Sequence, residues 1–418
     1  MEHSIPSHVL FYSGAYQADV LGSTKAIDAP LTKKLAEHGL RVTWAGRGVK
    51  KEKNIEGIDL NSLGDFSFFK KIIVKADYFL YRILAKLRLN NLAMLKLYTH
   101  FDSRCAYLIN SGKIKVDSST IFIARNGMSL YSFQAVKRSG GVSILHSQWM
   151  HPAAQNKILK SEFSQLQLKK KPISPKRIKR QLKEINFVDK IWCISSLVYS
   201  SYIENEIDRN KLFYLPLGVD TSYYYPKGEL GTIYDYRKSS FKILFVGNVN
   251  PEKGAHLLIE ALKISGVRNC EIIFNGALPA YFQNTFKNSC NSLIARNITI
   301  RIEPGDPKKN YIYSSLFVLP SVHESFGMVV LEAMASGLPI LVSSSVGAKD
   351  CVQNGKNGFI FESKNVKELA QRIDFFYSNR QLIQDYGLHS LEQAKEYDWN
   401  IIGGKFIAFI KTRFINTK

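Results

Sequence analysis

The chain has 418 residues, 45% of them hydrophobic, and carries 57 Lys and Arg against 35 Asp and Glu, a formal net charge of +22. That length holds enough apolar surface for two cores of ordinary size, so two domains are expected. Five cysteines, odd in number, widely spaced and never in a C-x-x-C pair, argue against a disulfide framework and a cysteine zinc site. No apolar stretch reaches the roughly 18 residues of a membrane span and the start M-E-H-S-I-P lacks signal-peptide features, so a cytoplasmic location is expected.

Residues 9–14, V-L-F-Y-S-G, read as a short apolar strand, Lys25 to His38 as a helix ended by Gly39, and Leu40 to Ala45 as the next strand. The alternation returns at Thr120 to Ala124, Val142 to Leu145 and Lys190 to Ile194, which suggests a parallel, doubly wound sheet. Around Leu217-Gly218-Val219-Asp220 it breaks, and a Tyr-, Pro- and Gly-rich stretch runs to Ser240. A second alternation starts at Phe241 to Val246 and continues through Glu271 to Phe274, Ile298 to Ile302, Leu316 to Leu319 and Ile340 to Val342. The expectation is an α/β protein of two Rossmann-like domains, residues 1–220 and 241–398, joined by a linker at 221–240 and followed by a terminal segment, 399–418. No short-period repeat supports a solenoid.

Of the net +22, the first 220 residues carry +16. Lys169, Lys170, Lys171, Lys176, Arg177, Lys179, Arg180 and Lys183 form one basic run. Residues 66–98 form another, interleaving Lys70, Lys71, Lys75, Arg82, Lys86, Arg88 and Lys96 with aromatic and aliphatic residues. Basic amphipathic stretches with aromatics suit an anionic membrane face; for 66–98 a core-facing helix with a solvated lysine side fits equally well. Nucleic acid is not an expected partner.

The most informative stretch runs from Pro320 to Phe361, with Glu324 and Glu332 eight positions apart. The apolar run Leu316 to Leu319 ends at Pro320, a loop follows, and Val329 to Met334 have helix-compatible composition until Gly337 and Pro339 stop them. A strand, loop and helix amino terminus present free N–H groups and a positive dipole end, a site for an anion such as a diphosphate. Gly327 allows close approach to the backbone. If both glutamates are helical, ~100° per residue sets them about 80° apart. Carboxylates beside a phosphate site suit hydroxyl partners, and a sugar nucleotide has hydroxyls on both sides of its diphosphate. Taken as an isolated pair, Glu324 is more simply a helix cap and Glu332 a solvated side chain.

The motif E-S-F-G-M-V-V-L-E-A-M-A-S-G-L-P, continued by Val346 to Gly355, resembles the E-x7-E signature and the V-G-G-x-x-E-x-V-x-x-G segment of family 4 glycosyltransferases, retaining enzymes of the GT-B fold. The resemblance implies an enzyme with a nucleotide-sugar donor and a glycan or lipid-linked acceptor, two facing Rossmann-like domains, and a last helix crossing back to the first. Phe213 to Asp220 is similar to the family's hinge. Gly247 to Gly254, G-N-V-N-P-E-K-G, resembles its G-R-L-x-x-x-K-G loop, so Lys253 is implied at the donor diphosphate and Asn248 where an Arg is usual. Glu324 would contact the donor sugar and Glu332 the ribose, with Phe326, Gly327 and Met328 supplying backbone. Gly276 matches a glycine near the nucleotide and equally suits a turn.

In the first domain Gly22-Ser23 looks like a degenerate form of the family's Gly-Gly loop, with Gly14 as a competitor. Related enzymes place a histidine after the strand at 142–145, which here is His151, favoured, or His146. Glu184 and Asp189, in a segment resembling the family's E-x-x-x-A-D element, are read as structural. No D-x-D occurs in the chain, so no metal and no cofactor are expected, with Lys253 and the helix dipole acting in place of an ion. The alternative is a catalytically idle GT-B protein using its basic first domain on membrane or nucleic acid.

Overall fold

The computed structural model describes residues 7–17, 29–47, 58–62, 90–165, 173–226 and 240–415. Seven strands in the first part, β1 (His8–Gln17), β2 (Arg41–Arg47), β3 (Ile58–Ser62), β4 (Thr120–Arg125), β5 (Val142–Ser147), β6 (Lys190–Cys193) and β7 (Leu212–Tyr214), form one sheet in the order β3-β2-β1-β4-β5-β6-β7. Six more, β8 (Phe241–Val246), β9 (Cys270–Asn275), β10 (Ile298–Ile302), β11 (Leu316–Leu319), β12 (Ile340–Ser343) and β13 (Gly358–Phe361), form a second in the order β10-β9-β8-β11-β12-β13. Every pairing is parallel.

Helices on both faces bury the central strands completely, as in β4 and β11, where every residue is buried. That is why their sequences are unbroken apolar runs rather than alternating ones. Strands β3, β7 and β13, at or near the sheet edges, were not among the sequence expectations. The expected helix from Lys25 to His38 is described from Ala29 to Glu37.

Both strand orders reverse direction once, between β1 and β4 and between β8 and β11. Ligands of open α/β sheets bind outside the carboxyl ends of strands at such points. The loop 247–253 follows β8 and the loop 320–327 follows β11, so the second sheet's switch point is built from the two segments singled out in the sequence.

The chain crosses between the sheets twice. Val219 N–H donates to the Tyr397 carbonyl at 2.8 Å, Trp399 N–H returns to the Val219 carbonyl at 3.2 Å, and the Thr221 hydroxyl donates to Asp398 at 2.5 Å. The helix Trp399–Ile415 then lies on the first sheet. Its Phe409 stacks on Phe213 at 3.8 Å between centroids, and its Phe406 packs 5.0 Å from Trp192. No helix among the described residues is long and apolar enough to cross a membrane.

The described parts of the two sheets' domains also touch directly. The Ser195 hydroxyl donates to the Ser325 carbonyl at 2.6 Å. Asp350 accepts from the N–H and hydroxyl of Ser196 at 2.7 and 2.6 Å and from the Tyr214 hydroxyl at 3.2 Å. Glu162, on helix Pro152–Gln165, is ion-paired with Lys364 and lies 3.6 Å from His256.

Candidate active site

Between the sheets lies a cavity of about 300 Å³ lined by Gln148, Trp149, Ile194 and Leu217 from the first part of the chain and by Val246, Gly247, Lys253, Glu324 and Phe326 to Val329 from the second. Lys253 is held there by local sequence. Asn250 accepts from the Lys253 N–H at 2.9 Å, Pro251 begins a 3-10 turn, and Gly254 closes it. The Lys253 ammonium is ion-paired with Glu324. Burial lowers the Lys253 pKa to about 8, with the Glu252 carboxylate opposing.

Glu324 is neither helical nor a cap. Its N–H donates to the Ser345 carbonyl at 3.1 Å, its own carbonyl accepts from Gly347 at 2.9 Å, and it forms a parallel bridge with Val346. The helix begins only at Met328. The expected 80° arrangement of two helical carboxylates is thereby corrected: an extended segment, tied to the loop after β12, aims Glu324 into the cavity. Gly327, at φ 96°, is the residue before the helix, and no side chain caps the helix there. The amino terminus of Met328–Ala335 thus opens on the cavity, since Gly327, Met328 and Val329 all line it.

Glu332 lies on that helix outside the cavity lining. It accepts from the Tyr311 hydroxyl at 2.8 Å. Burial raises its pKa, and hydrogen bonds from Tyr311 and Tyr224 hold against the rise. Gly276 has a backbone reason to be glycine, because a Cβ there would come 1.9 Å from the Gly247 carbonyl oxygen. It keeps the loop after β9 under the loop after β8. Asn248 is exposed, its carbonyl accepting from Asn250 at 2.8 Å. Gly22 lies outside the described residues, as do 66–89 and Lys169 to Lys171 of the basic segments.

Neither histidine lines the cavity. His146, within β5, is buried and stacks on Trp192 at 4.1 Å. Burial, then the Arg125 guanidinium, hold it neutral far below its ordinary pKa. His151 immediately precedes helix Pro152–Gln165 and meets Tyr202 edge-on at 5.4 Å. Burial lowers its pKa and Asn205 opposes. Instead of either histidine, the loop after β5 presents Gln148 and Trp149 to the cavity. Asn126 accepts from the Gln148 N–H at 3.2 Å, which ties this loop to the end of β4.

His323, adjacent to Glu324, was also missed by sequence reasoning. It is buried, and burial first and the Lys253 cation second lower its pKa to about 4. Glu184, read as structural, is so placed: it accepts from the N–H of Gly127 and, at 2.8 Å, from that of Ser129. Asp189 accepts from the Ser143 N–H at 2.8 Å and ties helix Pro175–Phe187 to β5.

Two parallel doubly wound sheets with a cavity between their strand ends define the GT-B class of fold. Residues 233–392, the second domain, match the model of the glycosyl transferases group 1 family. An uncharacterized glycosyltransferase of Methanocaldococcus jannaschii is 30% identical over 217 residues, 50% of this chain and 56% of that protein. The capsular polysaccharide biosynthesis glycosyltransferase CapM of Staphylococcus aureus is 26% identical over 231 residues, 52% of this chain and 60% of that protein. The chain thus spans little more than half the length of these curated relatives. Among solved structures, HepE of Anabaena in complex with UDP superposes with a TM-score of 0.65 at 16% identity, over 96% of this chain and 99% of that one.

Proposed function

We propose that the protein is a retaining glycosyltransferase that moves a sugar from a nucleotide-sugar donor to a lipid-linked or polysaccharide-precursor acceptor without a metal ion. The observation that carries this reading is the meeting of Lys253, Glu324 and the amino terminus of helix Met328–Ala335 at one interdomain cavity. An ammonium and a helix amino terminus are preplaced positive charge for a diphosphate leaving group. The bond between the anomeric carbon and the diphosphate oxygen breaks, its electron pair departing with the nucleotide. The acceptor hydroxyl oxygen bonds to that carbon, and its proton passes to the departing phosphate oxygen. Glu324 accepts from a hydroxyl of the donor sugar and orients it. Glu332 takes a ribose hydroxyl by exchanging a tyrosine for it.

Cytoplasmic residence at an anionic membrane face belongs to the same proposal. Lys176, Lys179, Lys183 and Phe187 are exposed on helix Pro175–Phe187, and each surface cation near such a membrane contributes about 1 kcal/mol. The idle binding-protein reading is disfavoured because Lys253 and Glu324 are both present and paired in the cavity. The test is a panel of UDP-, GDP- and ADP-sugars with purified protein, read by hydrolysis or transfer and by melting temperature. If none is turned over and none raises the melting temperature, the donor assignment is wrong.

A further inference from the structure

We infer that the acceptor is recognised through an anionic group, a phosphate or diphosphate, bound at the cavity mouth by Arg177 lying on Trp149 with Gln148 beside it. The inference rests on the reading of the cavity as the transfer site and names the chemistry of the second substrate. Trp149 and Gln148 line the cavity from the first domain, Lys253 and Glu324 from the second. The Arg177 guanidinium lies 5.2 Å from the Trp149 ring centroid. Its Nε, and the Gln148 amide nitrogen, are shielded from solvent and have no hydrogen-bond partner among the described residues.

Arg180, one turn along the same helix, is the contrasting case. It is ion-paired with Asp102, lies 3.6 Å from Glu184 and donates to the Gly127 carbonyl at 3.2 Å. Asp102 and Glu184 are therefore engaged by Arg180, and Arg177, whose helix neighbours Lys176 and Lys179 are exposed cations, is paired with no carboxylate among the described residues. A guanidinium held over an indole keeps its charge and its planar fork of N–H groups, which matches two oxyanion oxygens. That geometry suits a phosphate better than a neutral sugar hydroxyl. A lipid diphosphate and a phosphorylated glycan offer the same group.

Inorganic diphosphate is titrated by calorimetry into the full chain, Lys253→Ala, Arg177→Gln, Arg177→Lys and the Lys253→Ala/Arg177→Gln double variant, with unliganded melting temperatures as the check on folding. Two sites are expected in the unsubstituted protein. Lys253→Ala removes the donor-side one alone, Arg177→Gln weakens the other at least tenfold, and Arg177→Lys, which keeps charge without the planar fork, recovers it only in part. An Arg177→Gln isotherm matching the unsubstituted one overturns the inference and leaves the donor site standing. An isotherm that Lys253→Ala does not alter refutes the donor reading, while the Arg177 arm still decides the anion site. Competition by geranyl diphosphate and glucose 1-phosphate separates the sources: the stronger competitor identifies the acceptor class, and displacement by neither counts against the inference.

Discussion

The Lys253 ammonium is ion-paired with the Glu324 carboxylate, joining the loop after β8 to the loop after β11 across the switch point of the second sheet. On the proposed reading, a donor diphosphate draws the ammonium to itself and frees Glu324 to accept from the sugar. Glu324→Ala then keeps or improves the melting-temperature rise produced by UDP, because Lys253 loses a competitor. The additional rise from the matching UDP-sugar disappears. A hydrogen bond to a charged group is worth about 1.5–3 kcal/mol, so affinity for the sugar nucleotide falls at least about tenfold relative to UDP. An unchanged ligand profile removes Glu324 from the site.

On the same proposed reading, the lowered pKa of Lys253 gives donor binding a pH dependence of definite sign. Burial favours the neutral amine, bringing the pKa to about 8 in the free protein, whereas a bound diphosphate favours the ammonium and raises it. Below pH 8 the cation is already present and affinity is flat. As pH rises through about 8, binding must take up a proton, and affinity falls by up to about tenfold per unit. Lys253→Arg, whose guanidinium stays charged, flattens that slope even where it binds more weakly. Calorimetry of UDP from pH 6.5 to 9.5 checks both curves, and parallel slopes for the two proteins remove the Lys253 contact.

Asp350 receives three hydrogen bonds from Ser196 and Tyr214 across the domain boundary, which makes it a clasp between the two domains. Asp350→Ala leaves those donors to water and shifts the protein toward an open arrangement. Apparent donor affinity falls in proportion to the remaining closed fraction. Small-angle scattering of the unliganded variant is expected to show a larger radius of gyration, reversed by saturating nucleotide sugar. Identical radii with and without the substitution refute the clasp.

The central strands were legible because sheets buried on both faces write themselves as unbroken apolar runs. β3 was missed because I-D-L-N-S mixes polar with apolar residues at a sheet edge, and β7 because it is only three residues long. Lys253, Glu324 and Gly327 to Met328 were recognisable because local sequence fixes their loops and a family resemblance names them. The first-domain side was not. Whether a histidine at the end of a buried strand faces the cleft depends on which distant side chain packs on it. Trp192 takes His146 and Tyr202 takes His151, from residues 46 and 51 positions further along the chain. Gln148 and Trp149 carried no motif; their position directly after β5, at the strand's carboxyl end, was the available signal.

Two glycines give opposite responses to the same added methyl group. At Gly276 a Cβ would sit 1.9 Å from the Gly247 carbonyl oxygen, a backbone atom that moves only if the cavity loop moves. Gly276→Ala is expected to cost about 1–3 kcal/mol as overpacking and to weaken UDP binding, because Gly247 lines the cavity. At Gly404, within helix Trp399–Ile415, nothing lies within 4 Å of the place a methyl group would take, and φ is not positive. Gly404→Ala therefore stabilises by about 0.5–1 kcal/mol through the lower entropy of the unfolded chain and better helix propensity, with UDP affinity unchanged. Chemical denaturation and UDP titration of the two variants side by side check the pair. A Gly276→Ala protein as stable and as tight-binding as the Gly404→Ala one would mean that the β8 and β9 loops do not hold each other in register.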